Sequence, residues 1–247
     1  MNTVAIIPAR YGSTRFPGKP LANETGRTLI QHVYEQVRRA QSIDVVLIAT
    51  DDERIIEAVQ SFGGRVVMTR SDHLSGTDRI AEVAQRLDAD LIVNVQGDEP
   101  EIDPAHIDRL VAKLVENDDL VQGTLACPFP KDGDPADPNA VKVVLDHRGR
   151  ALYFSRSLIP YPRDSAGRPV ASEDWLLHVG VYAYRRDWLL ELAALPPTPL
   201  EQREKLEQLR VLEHGRSIGV VVVDTAAVGI DTPADYQAFV SRMKSKT

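Results

Sequence analysis

Three cations stand close together near the start of the chain, in Pro8-Ala9-Arg10-Tyr11-Gly12-Ser13-Thr14-Arg15-Phe16-Pro17-Gly18-Lys19-Pro20-Leu21. Arg10, Arg15 and Lys19 supply positive charge, Ser13 and Thr14 add hydroxyl donors, and two glycines let the backbone turn and expose its amides. Fixed donors and cations of this kind, following a strand, suit a polyphosphate. The segment is not a Walker A loop, because five residues separate Gly12 from Gly18 and a proline follows the lysine. The residues by themselves fit a phosphate site and a solvated basic loop about equally; the position after a first strand favours the phosphate site.

Carboxylates complete the chemistry. Gln96-Gly97-Asp98-Glu99-Pro100 follows an apolar run, and neighbouring side chains of an extended segment point to opposite faces. Only one of the two acids is therefore expected at a ligand. Asp98 is the choice for a Mg²⁺ ligand against phosphate oxygens, with Gly97 permitting close approach. Asp103 is expected to cap the next helix ahead of Pro104. A second candidate is Asp231 in Gly229-Ile230-Asp231-Thr232-Pro233. Thr232 reads as an N-cap, Pro233 as the first helical residue and Asp235 as the partner of a capping box, which leaves Asp231 outside the helix. It is either a ligand or an acid favoured by the helix dipole.

Positioning these groups requires a sheet. Val4–Pro8, Val45–Ala49, Val66–Met68 and Leu91–Val95 are near-continuous apolar runs, the pattern of buried parallel strands. Between them, Leu29, Ile30, Val33 and Val37 share one helical face, as do Ile55, Ile56 and Val59, and Ile80, Val83, Ala84 and Leu87. Ala105–Val115 is a further helix. Repeated strand–helix–strand units over the first ~120 residues predict an α/β fold with a parallel sheet and helices on both faces.

Beyond that point, Asp132–Asn139 is a turn-rich loop. Val141–Leu145 and Leu152–Phe154 flank His147-Arg148-Gly149 as a hairpin, and Leu177–Tyr184 reads as another strand. Ser157–Asp174, polar and with three prolines, is expected to be a mobile loop. The reading is a single domain over 1–247 with a β-rich lobe inserted at about 140–184. Helices at Arg186–Leu195 and Leu200–His214, a strand at Ile218–Val223 and a last helix from Thr232 close the fold.

The 247 residues, 43% of them hydrophobic, carry a net charge of −7. That balance disfavours a nucleic-acid partner, which needs a basic surface. A single cysteine, Cys127, excludes an internal disulfide framework and a cysteine zinc cluster. The amino-terminal residues carry no signal-peptide pattern and no apolar run is long enough to span a membrane, so a cytoplasmic protein is expected.

In order along the chain, IIPARYGSTRFPGKPL, ATDDE, MTRSDHLSGTDRIAEV, VNVQGDEP, PNAVKVVLD with ALYFSR, HVGVYAY, LEQLRVLEHG and GIDTPADY resemble the 3-deoxy-manno-octulosonate (KDO) cytidylyltransferases. Departures from that family's pattern include Gly12, where alanine is common, and the unusual Cys127. The resemblance implies a Rossmann-like nucleotidyltransferase fold with a β-rich dimerisation lobe, a homodimer, and transfer of CMP from CTP to KDO for lipopolysaccharide synthesis. It also implies roles by position. Ala9, Arg10, Ser13, Arg15, Lys19, Arg79, Gln96 and Asp98 would bind the nucleotide, with Arg79 near the cytosine. Asp98 and Asp231 would hold Mg²⁺, Arg10 and Lys19 would act with them in catalysis, and Arg156, His178, Glu207 and Gln208 would line the sugar pocket. Read without the family, Arg79, His178, Glu207 and Gln208 fit packing or surface roles. Two rivals stand beside this reading: a cytidylyltransferase for sialic acid or amino-KDO, and a non-catalytic sugar-nucleotide binder.

Overall fold

A computed structural model describes residues 1–12, 15–167 and 174–245. It divides into two compact units, one of Met1–Asp108 with Ala227–Thr247, the other of Arg109–Ala226. Ser13 and residues 168–173 of the expected mobile loop lie outside the described residues.

The first unit is built on four parallel strands: β1 (Thr3–Ala9), β2 (Val45–Thr50), β3 (Val66–Met68) and β4 (Leu91–Asn94). β1 lies between β2 and β4, and β3 flanks β2. All four residues of β4 and six of the seven in β1 are buried. Strands buried on both faces leave no polar alternation, which is why they read as apolar runs.

The connecting helices are α1 (Leu29–Val37), α2 (Glu53–Ser61), α3 (Gly76–Ala84) and α4 (Pro104–Val115), the last carrying the chain into the second unit. Their starts are set by side-chain caps. Thr28 accepts from the Gln31 amide, Asp52 from that of Arg54, and Ser75 and Asp78 form a reciprocal capping box. Asp103 accepts from the Ala105 amide, as expected.

The second unit holds β5 (Gln122–Pro128), β6 (Lys142–Leu145), β7 (Ala151–Ser155), β8 (Leu176–Arg185), α5 (Arg186–Ala194), α6 (Pro199–Glu204), α7 (Gln208–Glu213) and β9 (Ile218–Val222). β5 pairs with β9 in parallel and with β8 antiparallel, while β6 pairs antiparallel with β7 and β8.

Two elements differ from the sequence expectation. β5 was not anticipated: its glycine and buried polar residues break the apolar run. Gly123 and Gly219 sit opposite each other across β5 and β9. A Cβ on Gly123 would lie 2.5 Å from Leu114, and one on Gly219 2.5 Å from Leu120, so the glycines make room for the segment that α4 leads into. The single helix expected over Leu200–His214 is instead α6 and α7, because Lys205 takes a left-handed conformation (φ 54°) between them.

The chain returns to the first unit as α8 (Pro233–Ser245). Thr232 and Asp235 exchange hydrogen bonds at its start, forming the expected capping box. Tyr236, Phe239 and Val240 bury with Leu29 and Ile230, and Phe16, Ala22 and Met243 pack against that cluster. One apolar nucleus thus fixes both the end of the cationic loop and the segment bearing Asp231.

Candidate active site

The cationic loop leaves the carboxyl end of β1 and is closed on itself. The Gly18 amide donates to the Tyr11 carbonyl at 3.1 Å, with Gly18 at φ 70°. A side chain at Gly18 would meet the Tyr11 ring at about 3.1 Å, so this glycine serves both conformation and space. The Tyr11 ring is also met by the Arg54 guanidinium, 3.3 Å from the ring centroid and held by Asp52 through its Nε and Nη2. Lys19–Leu21 then forms one 3₁₀ turn, with Pro20 at its start. The prolines exclude a long helix here but admit this short one.

At the carboxyl end of β4 the chain does not stay extended. The Glu99 amide donates to the Gln96 carbonyl and the Ile102 amide to the Glu99 carbonyl, two successive turns. Asp98 and Glu99 still differ in exposure, but by turning rather than strand alternation. Asp98 keeps 30% of its side chain exposed. Glu99 is buried, its Oε2 has no partner among the described residues, and burial, with the Asp98 charge beside it, pushes its carboxyl up to about 8. Gly97 is favoured by crowding, since a Cβ there would lie 3.1 Å from the Pro8 carbonyl of β1.

The two acids expected to hold metal share one cation. Lys19 Nζ donates to Asp98 Oδ2 and to the Ile230 carbonyl, each at 2.7 Å, and lies 3.8 Å from Asp231 Oδ1. Arg15 donates to the same Asp231 oxygen at 2.9 Å. The Ile230 amide in turn donates to the Asp98 carbonyl at 2.9 Å. Lys19, Asp98 and Asp231, far apart in sequence, thus meet through backbone as well as charge. Among the described residues no group of three His, Cys, Asp or Glu is placed to hold a metal. Two carboxylates with the remaining positions left to phosphate and water are, however, the usual protein share of a Mg²⁺ site, and an ammonium already bridging them indicates a place built for a cation. The residues fit Mg²⁺.

Arg10 is exposed at the end of β1 and Ala9 is buried within it. Gln96 donates to Asn94 Oδ1 at 3.4 Å. Arg79, on α3, is 5% exposed; it donates to Thr69 Oγ1 at 2.6 Å and to Asp51 Oδ2 at 3.0 Å.

In the second unit, His178 on β8 places Nε2 3.0 Å from Thr124 Oγ1. That hydroxyl has one proton and already faces the carbonyls of Val181 (2.9 Å) and Val179 (3.2 Å), beside the point where β5 and β8 slip register. His178 therefore donates from Nε2, and Nδ1 is its acceptor. Burial lowers this imidazole to about 4, so it is neutral at pH 7. Tyr182 tilts against the same ring and its hydroxyl lies 3.5 Å from Gln208 Oε1. Gln208 is buried at the start of α7, with Nε2 unpartnered among the described residues. Glu207 is the residue before that helix.

Arg156 is held from several sides. Its amide donates to Glu204 Oε2, its Nε to the Glu204 carbonyl and its Nη1 to the Pro138 carbonyl. Lys142, fully buried, donates to the Arg156 carbonyl at 2.6 Å and to those of Ala140 and Asp137 at 2.7 and 2.9 Å.

With this geometry in view, comparison with known proteins is decisive. A family model described as cytidylyltransferase matches residues 4–218. The 3-deoxy-manno-octulosonate cytidylyltransferase of Syntrophotalea carbinolica is 55% identical over 240 residues, covering 95% of this chain and 96% of that one. The enzyme of the same name from Geobacter sulfurreducens is 51% identical over 254 residues, covering 99% and 100%. The chain belongs to the 3-deoxy-manno-octulosonate cytidylyltransferase family.

A solved CMP:2-keto-3-deoxy-manno-octonic acid synthetase, complexed with CTP, superposes on this member of the family with a TM-score of 0.93 at 44% identity over the whole of both chains. A cytidylyltransferase from Leptospira borgpetersenii, 18% identical, shares the fold at a TM-score of 0.68, covering 99% of this chain and 87% of that one. The α/β, mostly parallel nucleotidyltransferase architecture expected from the sequence is thus the fold of the family. Among the described residues no helix is long and apolar enough to cross a membrane.

Sequence reasoning passed over the supporting residues. Arg54, Lys142, Glu204 and Thr124 act through others, and nothing in their spacing shows that. Lys142 alone left a signal, a charge inside the apolar run Val141–Leu145.

Proposed function

We propose that this protein joins CMP from CTP to the anomeric hydroxyl of KDO, releasing pyrophosphate, in the cytoplasm and for lipopolysaccharide synthesis. The observation that carries the reading is the alternation of charge at the ends of β1 and β4: Arg15 and Lys19 interleaved with Asp231 and Asp98. A triphosphate and a divalent cation together match such a set, whereas either alone would leave one sign uncompensated.

In this reaction the sugar oxygen bonds to the α-phosphorus, the bond from that phosphorus to the bridging oxygen breaks, and pyrophosphate departs with the electron pair. The hydroxyl proton passes to solvent. Such transfers depend on positioning and charge neutralisation rather than on covalent chemistry by the protein. Asp98 and Asp231 would hold a Mg²⁺ ion, which when bound would supply charge neutralisation at the phosphate and a lowered pKa at the attacking hydroxyl. Arg10, Arg15 and Lys19 bind the triphosphate, with Ser13 assisting, and Arg10 and Lys19 stabilise the charge that grows on pyrophosphate. Ala9 and Gln96 border the nucleotide, and Arg79, braced by Asp51 and Thr69, borders the base. On the acceptor side, Arg156 faces the sugar carboxylate, His178 Nδ1 accepts from a sugar hydroxyl, and Glu207 and Gln208 complete the pocket. The β6–β8 region, within the lobe at about 140–184 of a single 1–247 domain, forms the homodimer contact.

The test is pyrophosphate release with Mg²⁺ and CTP, offering KDO, N-acetylneuraminic acid and an amino-KDO analogue in parallel. Release with KDO above the others is expected, and Asp98→Ala should lower turnover by roughly 10²–10³, the usual effect of losing one electrostatic group of this kind. Preference for another acid would move the error to the sugar side. CTP binding without release from any acceptor would favour a non-catalytic binder.

A further inference from the structure

We infer that Lys19 is a placeholder for the divalent cation: its ammonium rests on Asp98 beside Asp231, where the metal would bind, and it leaves them only when a triphosphate offers it another partner. The inference rests on the metal reading above and adds a coupling between metal and nucleotide that the reading does not contain.

The geometry is specific. Lys19 Nζ spends one N–H on Asp98 Oδ2 and another on the Ile230 carbonyl, both at 2.7 Å, with Asp231 Oδ1 at 3.8 Å. Only 13% of the lysine side chain is exposed, so this is an enclosed contact rather than a loose surface pair. A lysine ammonium is a compact, strongly hydrated point charge with three donors, the side-chain group nearest in kind to a small inorganic cation. A divalent ion bound to the same Asp98 oxygen would lie within about 4 Å of that ammonium, where like charges repel strongly. Metal alone must therefore displace Lys19 with no acceptor offered in return. A triphosphate supplies that acceptor, and once Lys19 has turned to it the carboxylates are open.

The backbone bond between the Ile230 amide and the Asp98 carbonyl does not involve the lysine, so the two acids stay together while it moves. Arg15 is the second cation on Asp231 but is 67% exposed, and its pair is correspondingly weak. Lys19 is thus the gate. Metal and nucleotide each remove the obstacle to the other, and linkage makes that help reciprocal.

The experiment measures metal binding without nucleotide, with Mn²⁺ as the spin-active probe and free Mn²⁺ followed by electron paramagnetic resonance. Lys19→Gln removes the charge yet can still donate to the Ile230 carbonyl, and Lys19→Met removes both. Arg10→Met deletes a cation of the same loop that no contact ties to either acid. Thermal melting establishes that each variant is folded. Both Lys19 variants should bind Mn²⁺ at least ten-fold more tightly than the wild type, Arg10→Met should stay within three-fold, and adding Asp98→Asn to Lys19→Gln should abolish the gain. Unchanged or weaker binding in Lys19→Gln would overturn the inference, as would a gain that Arg10→Met reproduces. Failure of the metal reading itself shows elsewhere: with CTP present, Asp98→Asn in the wild-type background would leave Mn²⁺ binding intact.

Discussion

Replacing Lys142 by methionine tests whether a buried cation holds the sugar-side scaffold. Its ammonium is fully buried and spends all three donors on main-chain carbonyls: Arg156 at 2.6 Å, Ala140 at 2.7 Å and Asp137 at 2.9 Å. Burial pulls its pKa down, the mark of a charge kept from water at a cost. Methionine leaves the Arg156 and Ala140 carbonyls without a donor, while that of Asp137 keeps the Ala140 amide at 3.2 Å; at about 1–3 kcal/mol each when buried, the loss is about 2–6 kcal/mol. Against that stands relief of the ammonium's desolvation, several kcal/mol for a buried ion. The net expectation is a loss of about 1–2 kcal/mol. Urea denaturation at pH 7 reads it as a fall in midpoint at unchanged slope, by about 0.5 M if the slope is roughly 3 kcal/mol/M. Because one of the three carbonyls belongs to Arg156, KM for KDO should rise several-fold while KM for CTP stays put. A loss below about 0.5 kcal/mol would refute the reasoning, since the carbonyls would then be satisfied without the lysine.

Three further expectations concern stability. His178 stays neutral in the folded protein down to about pH 4, while in the unfolded chain it protonates near 6.5; stability should therefore fall as pH drops from 6.5 to 4, by about 3 kcal/mol in total. His178→Gln should remove that part of the pH dependence of the urea midpoint, and an unaltered profile would contradict it. Gly123→Val forces a side chain toward Leu114 and Leu110 and should cost about 1–3 kcal/mol, seen as a lower Tm; an unchanged Tm would mean that the helix can shift freely. Glu201→Gln breaks the paired contacts to Arg210 at 2.8 and 2.5 Å, in a bridge about one-tenth exposed, and should destabilise by about 3 kcal/mol in thermal melts, with a change under 0.5 kcal/mol counting against it.

What the sequence disclosed follows from how each element is buried. β1 to β4 are covered on both faces, so their composition alone marks them, and the caps at Asp103 and Thr232 were legible because capping is local chemistry. β5 was hidden for the opposite reason. Its partner surface demands Gly123, and its buried polar residues, Gln122 and Thr124, look like loop residues until the hydrogen bonds of Thr124 to β8 are seen. The break at Lys205 was invisible because a lysine gives no warning of a left-handed conformation that a glycine would announce. At the site, residue types indicated phosphate and metal chemistry, but that Lys19 rests on the two acids rather than in solvent depends on a contact between distant segments. Asp98 was chosen over Glu99 by an argument from extended backbone, whereas the chain turns there, leaving Asp98 partly exposed and Glu99 buried.

The bond from Lys19 to the Ile230 carbonyl spans 211 positions of sequence. A ribosome delivers the cationic loop early and Asp98 midway, and Asp231 long after both. Until that late segment emerges, α8 has not closed the nucleus around Leu29 and Phe16, and the loop has no acid at Asp231 to answer it. The entropic penalty of closing so long a loop grows only logarithmically with its length, so distance itself is no obstacle. Its effect is on timing: a half-made chain, or one truncated before residue 230, carries the basic loop without the means to use it. Lys19, Asp98 and Asp231 can therefore come together only once almost all of the chain has been made.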